Sequence, residues 1–222
     1  MSTTGTPRQI IVDDVNPSIQ YTGPWYLDHG SRDSVGTFGS SYQSTLHGVN
    51  SNASLSYAFN EEQPFSFFKA HQFWSIRNSG TQVSVLGSNN ILNSSGVLDP
   101  TWECFVDNIG IGPIGTSAIF PLPENFWTFC NYTGLVDGPH VLTVNATVLN
   151  NQTFWFDCIV YLPSATVPLN QAAIIVENVD SRLQYGTGWA PLESYPANMT
   201  TVAGSILTFD FIGMQTNYCS PA

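Results

Sequence analysis

Trp25 and Tyr26 stand just ahead of Asp28, His29, Arg32 and Asp33 in one loop-like stretch. Those residue types read sugars. An aromatic face stacks on the apolar face of a pyranose, while carboxylate and guanidinium groups bond its hydroxyls. The residues expected to touch a ligand are therefore Trp25, Tyr26, Asp28, Arg32 and Asp33. Trp25 has a second reading, because a matching tryptophan recurs later as Trp189 and a repeated tryptophan fits a core position. A second constellation is acidic. Asp157 interrupts the apolar run TFWFDCIVY, where a carboxylate needs either a cation or several donors. The donors could equally be backbone N–H groups or tyrosine hydroxyls. Asp13 and Asp14 offer further hard oxygens of the kind that suit calcium. Paired carboxylates can also hydrolyse glycosides. Asp13, Asp14, Asp28, Asp33, Asp107, Asp137 and Asp157 are available, and sequence alone does not fix the separation of any two of them.

Other chemistries are poorly served. GIGPIG at 110–115 has the G-x-G-x-x-G spacing, yet Pro113 interrupts it and no helical pattern follows, so it reads as a turn rather than a nucleotide site. The G-x-S-x-G elbow and the H-E-x-x-H helix are both absent, and the four histidines are scattered. Net charge is −11 with five Lys or Arg, which opposes nucleic acid and anionic lipid surfaces. Calcium and neutral glycans are the compatible partners. The charged fraction of 9%, against about 25% in ordinary domains, leaves solubility to Ser, Thr, Asn, Gln and Gly, as in secreted β proteins.

Six Asn-x-Ser/Thr sequons, at Asn52, Asn93, Asn131, Asn145, Asn151 and Asn198, mark candidate glycan-bearing edges. Four cysteines allow three full pairings. Cys104–Cys130 is favoured because the two flank one proline-rich loop; buried free thiols are the alternative. The first residues, MSTTGTPRQIIVDD, hold no apolar signal-peptide core, and no apolar run spans a membrane. An extracellular location therefore predicts a start further upstream.

The elements that must position these groups are strands. Alternating and β-branched runs fall at 8–12, 17–22, 53–59, 81–86, 102–107, 125–132, 139–148 and 153–161, separated by turns such as Asp137-Gly138-Pro139. This spacing predicts an all-β sandwich or jelly roll. The chain also repeats itself. IIVDDVNPSIQYTGPW (10–25) returns without a gap as IIVENVDSRLQYGTGW (174–189), and SLSYAF (54–59) as ILTFDF (206–211). We divide it into a domain at 1–163, a linker at 164–171 and an incomplete second copy at 172–222. Two segments break the pattern. Residues 61–79 read as an insertion outside the core, whose removal leaves the hairpin SLSYAFN–GTQVSVLG. The tail after Gly213 departs where the second copy should continue. Both have the character of translated introns or a gene-model error, with a long functional loop as the alternative, and transcript reads across them decide.

WECFVDN (102–108), DGPHVLTVNATV (137–148), TFWFDCIVYLP (153–163) and VDDVNPSIQYTGPW (12–25) together resemble a group of basidiomycete fungal surface proteins. Their ectodomains are tandem galactose-binding-like jelly rolls, often ahead of a membrane helix. The resemblance implies a jelly-roll fold and a cell-surface setting. Sugar-binding jelly rolls often hold a structural calcium between first and last strand, which is where Asp13, Asp14 and Asp157 fall. Cys158 stands where the group's pattern has an aromatic. The expected function is a carbohydrate-binding module without catalysis. The alternatives are a glycosylated structural or adhesion ectodomain and, third, a glycoside hydrolase.

Overall fold

The computed structural model describes residues 8–59, 81–94, 96–112, 122–150, 152–165, 167–170, 172–192 and 197–211. The segment 61–79, the tail after Gly213 and the sequon Asn151 lie outside them. Among the described residues there is no α-helix. The chain forms β1 (Gln9–Asp13), β2 (Gln20–Thr22), β3 (Tyr26–His29), β4 (Thr45–Val49), β5 (Ala53–Phe59), β6 (Thr81–Asn89), β7 (Leu92–Ser94), β8 (Val97–Asp99) and β9 (Thr101–Val106). It continues with β10 (Ile109–Gly110), β11 (Glu124–Leu135), β12 (His140–Thr147), β13 (Phe154–Tyr161), β14 (Ala173–Ile175), β15 (Leu183–Tyr185), β16 (Trp189–Pro191), β17 (Asn198–Thr200) and β18 (Leu207–Phe209).

Two antiparallel sheets face each other as a β-sandwich. The larger runs β11-β6-β13-β1-β14, with the β3–β4 hairpin also on β13, and the smaller runs β10-β9-β12-β5-β2. Alternation explains the faces. In β12, Leu142 and Val144 are fully buried while Val141 is 46% exposed. Leu55, Tyr57 and Phe59 of β5 meet Phe154, Phe156, Ile159 and Tyr161 of β13 in one core. All eight residues of β13 are buried, as a central strand covered on both faces requires. β5 and β6 lie in opposite sheets. The hairpin expected between them is thus corrected: each strand carries its apolar set to a different wall of the core.

Cys104 of β9 and Cys130 of β11 form a disulfide that ties the two sheets together, with Cα atoms 6.4 Å apart. Beside it, Trp102 packs on Phe129 and donates its indole N–H to the Phe129 carbonyl at 2.9 Å.

β13 carries one irregularity. Phe154–Phe156 pair with β4 on one side, and Cys158–Tyr161 pair with β1. On the other side the register slips between Phe156 and Cys158 against β6. Asp157 is the extra residue of that bulge and has no cross-strand partner on either side.

Candidate functional site

The outer face of β13 carries a second, smaller buried layer. Leu46, Trp155, Cys158 and Val160 are buried but stand apart from the main core cluster. The β3–β4 hairpin extends the sheet beside β13, and the loop between its strands lies over this face, with Arg32 on Trp155 and the Tyr42 N–H on Asp157. Tyr26, Gly48 and Trp155 sit side by side on adjacent strands. A Cβ on Gly48 would come within 2.5 Å of the Trp155 ring and 2.8 Å of the Tyr26 ring. Glycine there lets the two rings meet edge to face, with centroids 5.6 Å apart. Tyr26 keeps 40% of its surface exposed.

Arg32 closes the group. Its guanidinium lies 5.2 Å above the Trp155 ring, and its Nε donates to Ser88 Oγ at 3.0 Å. Its Nη2 is buried without a partner. Burial lowers the Arg32 pKa, while Asp28 and Tyr26 pull it back up. Asp28 itself accepts bonds from the Ser31 N–H and hydroxyl. Asp33 accepts from the Ser41 hydroxyl.

The loop is held in place from β11. The buried Glu124 carboxylate accepts the N–H groups of Thr37 and Phe38, and Asn125 Nδ2 donates to the carbonyls of Arg32 and Gly39. Gly36 has φ +76, and a Cβ there would lie 2.1 Å from Glu124, so both conformation and space require glycine. Between loop and strand lies a recess of 410 Å³ lined by Arg32, Val35, Thr37, Leu122 and Pro123 among others. That volume falls in the range of small-ligand pockets.

The acidic residues gather behind this layer. Asp157 accepts the Tyr42 N–H on both oxygens, at 3.0 and 3.2 Å. Asp14, fully buried, accepts the Thr45 hydroxyl at 2.6 Å and lies 2.7 Å from His47 Nδ1. Tyr21 stacks on His47 at 4.3 Å and donates to the Asp14 carbonyl. Burial, aided by Asp14, pushes the Asp13 carboxyl up to about 7. Burial raises Asp157 well above the usual carboxylate range, against the Tyr42 N–H, with Asp14, Asp13 and Asp33 adding to the rise.

Two of the expected groups take these positions. Among the described residues no group of three or more His, Cys, Asp or Glu side chains is placed to hold a metal ion. Asp13, Asp14 and Asp157 do come together, in a cluster whose oxygens are engaged by Thr45, His47 and the Tyr42 backbone. Trp25 also leaves the ligand group. It packs against the core with its ring edge-on to Phe154, and its N–H donates to the carbonyls of Thr22 and Ser54. Tyr26 and Arg32 do converge, with Asp28 beside them.

Sequence reasoning missed Trp155, Ser88, Glu124 and Asn125. Trp155 carried a signal, since alternation along β13 puts it opposite the core-facing Phe154 and Phe156. The polar three carried none, because their partners are far along the chain. Of the sequons, Asn52, Asn131 and Asn145 are exposed and Asn198 is half-buried. Asn52 also caps the Val148 N–H. No helix of the described residues is long and apolar enough to cross a membrane. No family model, no curated protein and no solved structure matches the chain.

Proposed function

We propose that this chain is an extracellular, lectin-like jelly-roll module that binds neutral glycans without catalysis, of the surface-protein kind its motifs resemble. One observation carries the reading: the Arg32 guanidinium lies on Trp155 beside the exposed Tyr26, with Nη2 unpartnered. A buried donor left unmade is costly. A sugar hydroxyl or ring oxygen reaching it would relieve that cost, with Tyr26 offering the apolar contact. Neutral sugars fit better than acidic ones, because the net charge of −11 repels anions. The three exposed sequons and the inter-sheet disulfide suit an oxidising, extracellular setting.

Glycan-array screening of the purified chain, followed by calorimetry, tests this. Binding to a neutral glycan should weaken at least about ten-fold in Tyr26→Ala and in Arg32→Ala. A folded chain that binds no array glycan, or binds equally well in both variants, overturns it.

A second reading, a structural or adhesion ectodomain, is favoured by the open edge of β18 in the second copy, where β15 is its only strand partner among the described residues. Glycoside hydrolysis finds less support. Glu124 and Asp157 are buried and engaged by backbone N–H groups.

A further inference from the structure

The sequence repeat is also a repeat of geometry. Gln20 faces Ser56 and Tyr21 faces Leu55 in the β2–β5 pair; the equivalent Gln184 faces Thr208 and Tyr185 faces Leu207 in the β15–β18 pair. The Tyr21 hydroxyl donates to the carbonyl of Asp14 at 2.7 Å, and that of Tyr185 to the carbonyl of Asn178 at 2.9 Å. The Trp25 N–H reaches the Ser54 carbonyl, and the Trp189 N–H the Ile206 carbonyl, both at 3.1 Å. The second copy is therefore built to the same plan as the first.

The copies differ in what lies beyond β5 and its equivalent β18. The far edge of β5 is filled by β12, with Leu142 opposite Tyr57, Thr143 opposite Ser56 and Val144 opposite Leu55. Among the described residues β18 pairs with β15 alone. Among them its other edge carries no strand, and Phe211, on the same face as Leu207 and Phe209 by alternation, is 48% exposed. An open edge with an apolar face is a template for another strand.

We infer that β18 pairs with β18 of a second copy of this chain, which enters in the place β12 takes in the first domain. The occupant follows from the strand itself. β12 presents Leu142-Thr143-Val144 and β18 presents Leu207-Thr208-Phe209, the same apolar–Thr–apolar order. Laid in the β12 register, a second β18 places Leu207 opposite Phe209, Thr208 opposite Thr208 and Phe209 opposite Leu207. That register is its own two-fold, so the contact is isologous and closes as a dimer. Charge agrees with it. Asp210 falls opposite Ile206 of the other copy, so no like charges face across the pair, and Thr–Thr pairs are favourable cross-strand neighbours. The copies within one chain already meet in this manner. β1 and β14 pair antiparallel with the equivalent residues Ile10 and Ile174 directly opposite, so the β18 pair extends an isologous strand contact established inside the molecule.

Sedimentation of the full-length chain from low-micromolar to sub-millimolar concentration tests the inference. A concentration-dependent dimer is expected. Thr208 is exposed, so Thr208→Lys and Thr208→Asp should leave folding intact. Each puts like charges opposite one another and should weaken the dimer at least about ten-fold, and an equimolar mixture of the two variants should restore it. A chain monomeric throughout overturns the proposal, as does a dimer indifferent to both substitutions or a mixture that fails to recover. A monomeric chain that instead captures a synthetic peptide of the β12 sequence, residues 139–148, overturns it in favour of a donated strand from another protein.

Discussion

The first copy and the second share hydrogen bonds and register but not burial. Phe59 is 1% exposed, whereas Phe211 at the equivalent position is 48% exposed. Tyr21 is sandwiched between Trp25 and His47, whereas Tyr185 meets Trp189 alone among the aromatic contacts of its copy. The difference separates two causes that are usually mixed. The repeated sequence suffices to set the register of a strand pair and its tyrosine and tryptophan ties. Only an opposing sheet turns those strands into a core, because burying apolar area is what makes ordering the chain favourable.

The sharpest way to break this comparison is a pair of equivalent truncations. Phe59→Ala removes a fully packed ring and should cost about 3–5 kcal/mol. Phe211→Ala removes a half-exposed one and should cost less than about 1 kcal/mol. Urea unfolding midpoints of the two variants measure this, and equal losses would mean that Phe211 is packed as Phe59 is. A smaller effect separates the two tyrosines. Tyr21→Phe strips a bond from the carbonyl of the fully buried Asp14 and should cost about 1 kcal/mol. Tyr185→Phe, whose partner Asn178 is half-buried, should cost no more than about 0.5 kcal/mol.

A separate effect is in pH dependence. The Asp13 carboxyl titrates at about 7 in the folded chain and near the ordinary value of about 4 when unfolded. Between these values the native state holds the extra proton, so this group makes stability fall as pH rises from about 4 to about 7. The raised Asp157 acts in the same direction. Asp13→Asn should flatten the decline, as read by unfolding midpoints at both ends of the window. Glu177, at the equivalent place in the second copy, is exposed, and Glu177→Gln should leave the decline unchanged.

Much of the fold was readable in advance. The expected strands at 53–59, 139–148 and 153–161 match β5, β12 and β13 to within one residue at each end, because period-two alternation records which face meets the core. The β3–β4 hairpin was not readable. Its strands are joined by a long loop, and its partner residue Gly48 carries no apolar signal, so the stretch read as a loop. Tyr26 and Arg32 were legible as members of one loop-rich stretch, and they do meet around Trp155, while Trp25, which had both a ligand and a core reading, packs against the core. A tryptophan beside polar residues looks the same in sequence whether its ring points out or in.

The sequence by itself determined the all-β class and the repeat, since both are written in local pattern, and it favoured Cys104–Cys130 among the possible pairings from the loop the two cysteines flank. Only the tertiary structure decided that Arg32 would rest on Trp155, that Glu124 and Asn125 would pin its loop, and that Asp157 would sit on a bulge between two neighbouring strands. Those contacts join residues far apart along the chain. Their geometry depends on how two twisted sheets pack, which no local window of residues contains.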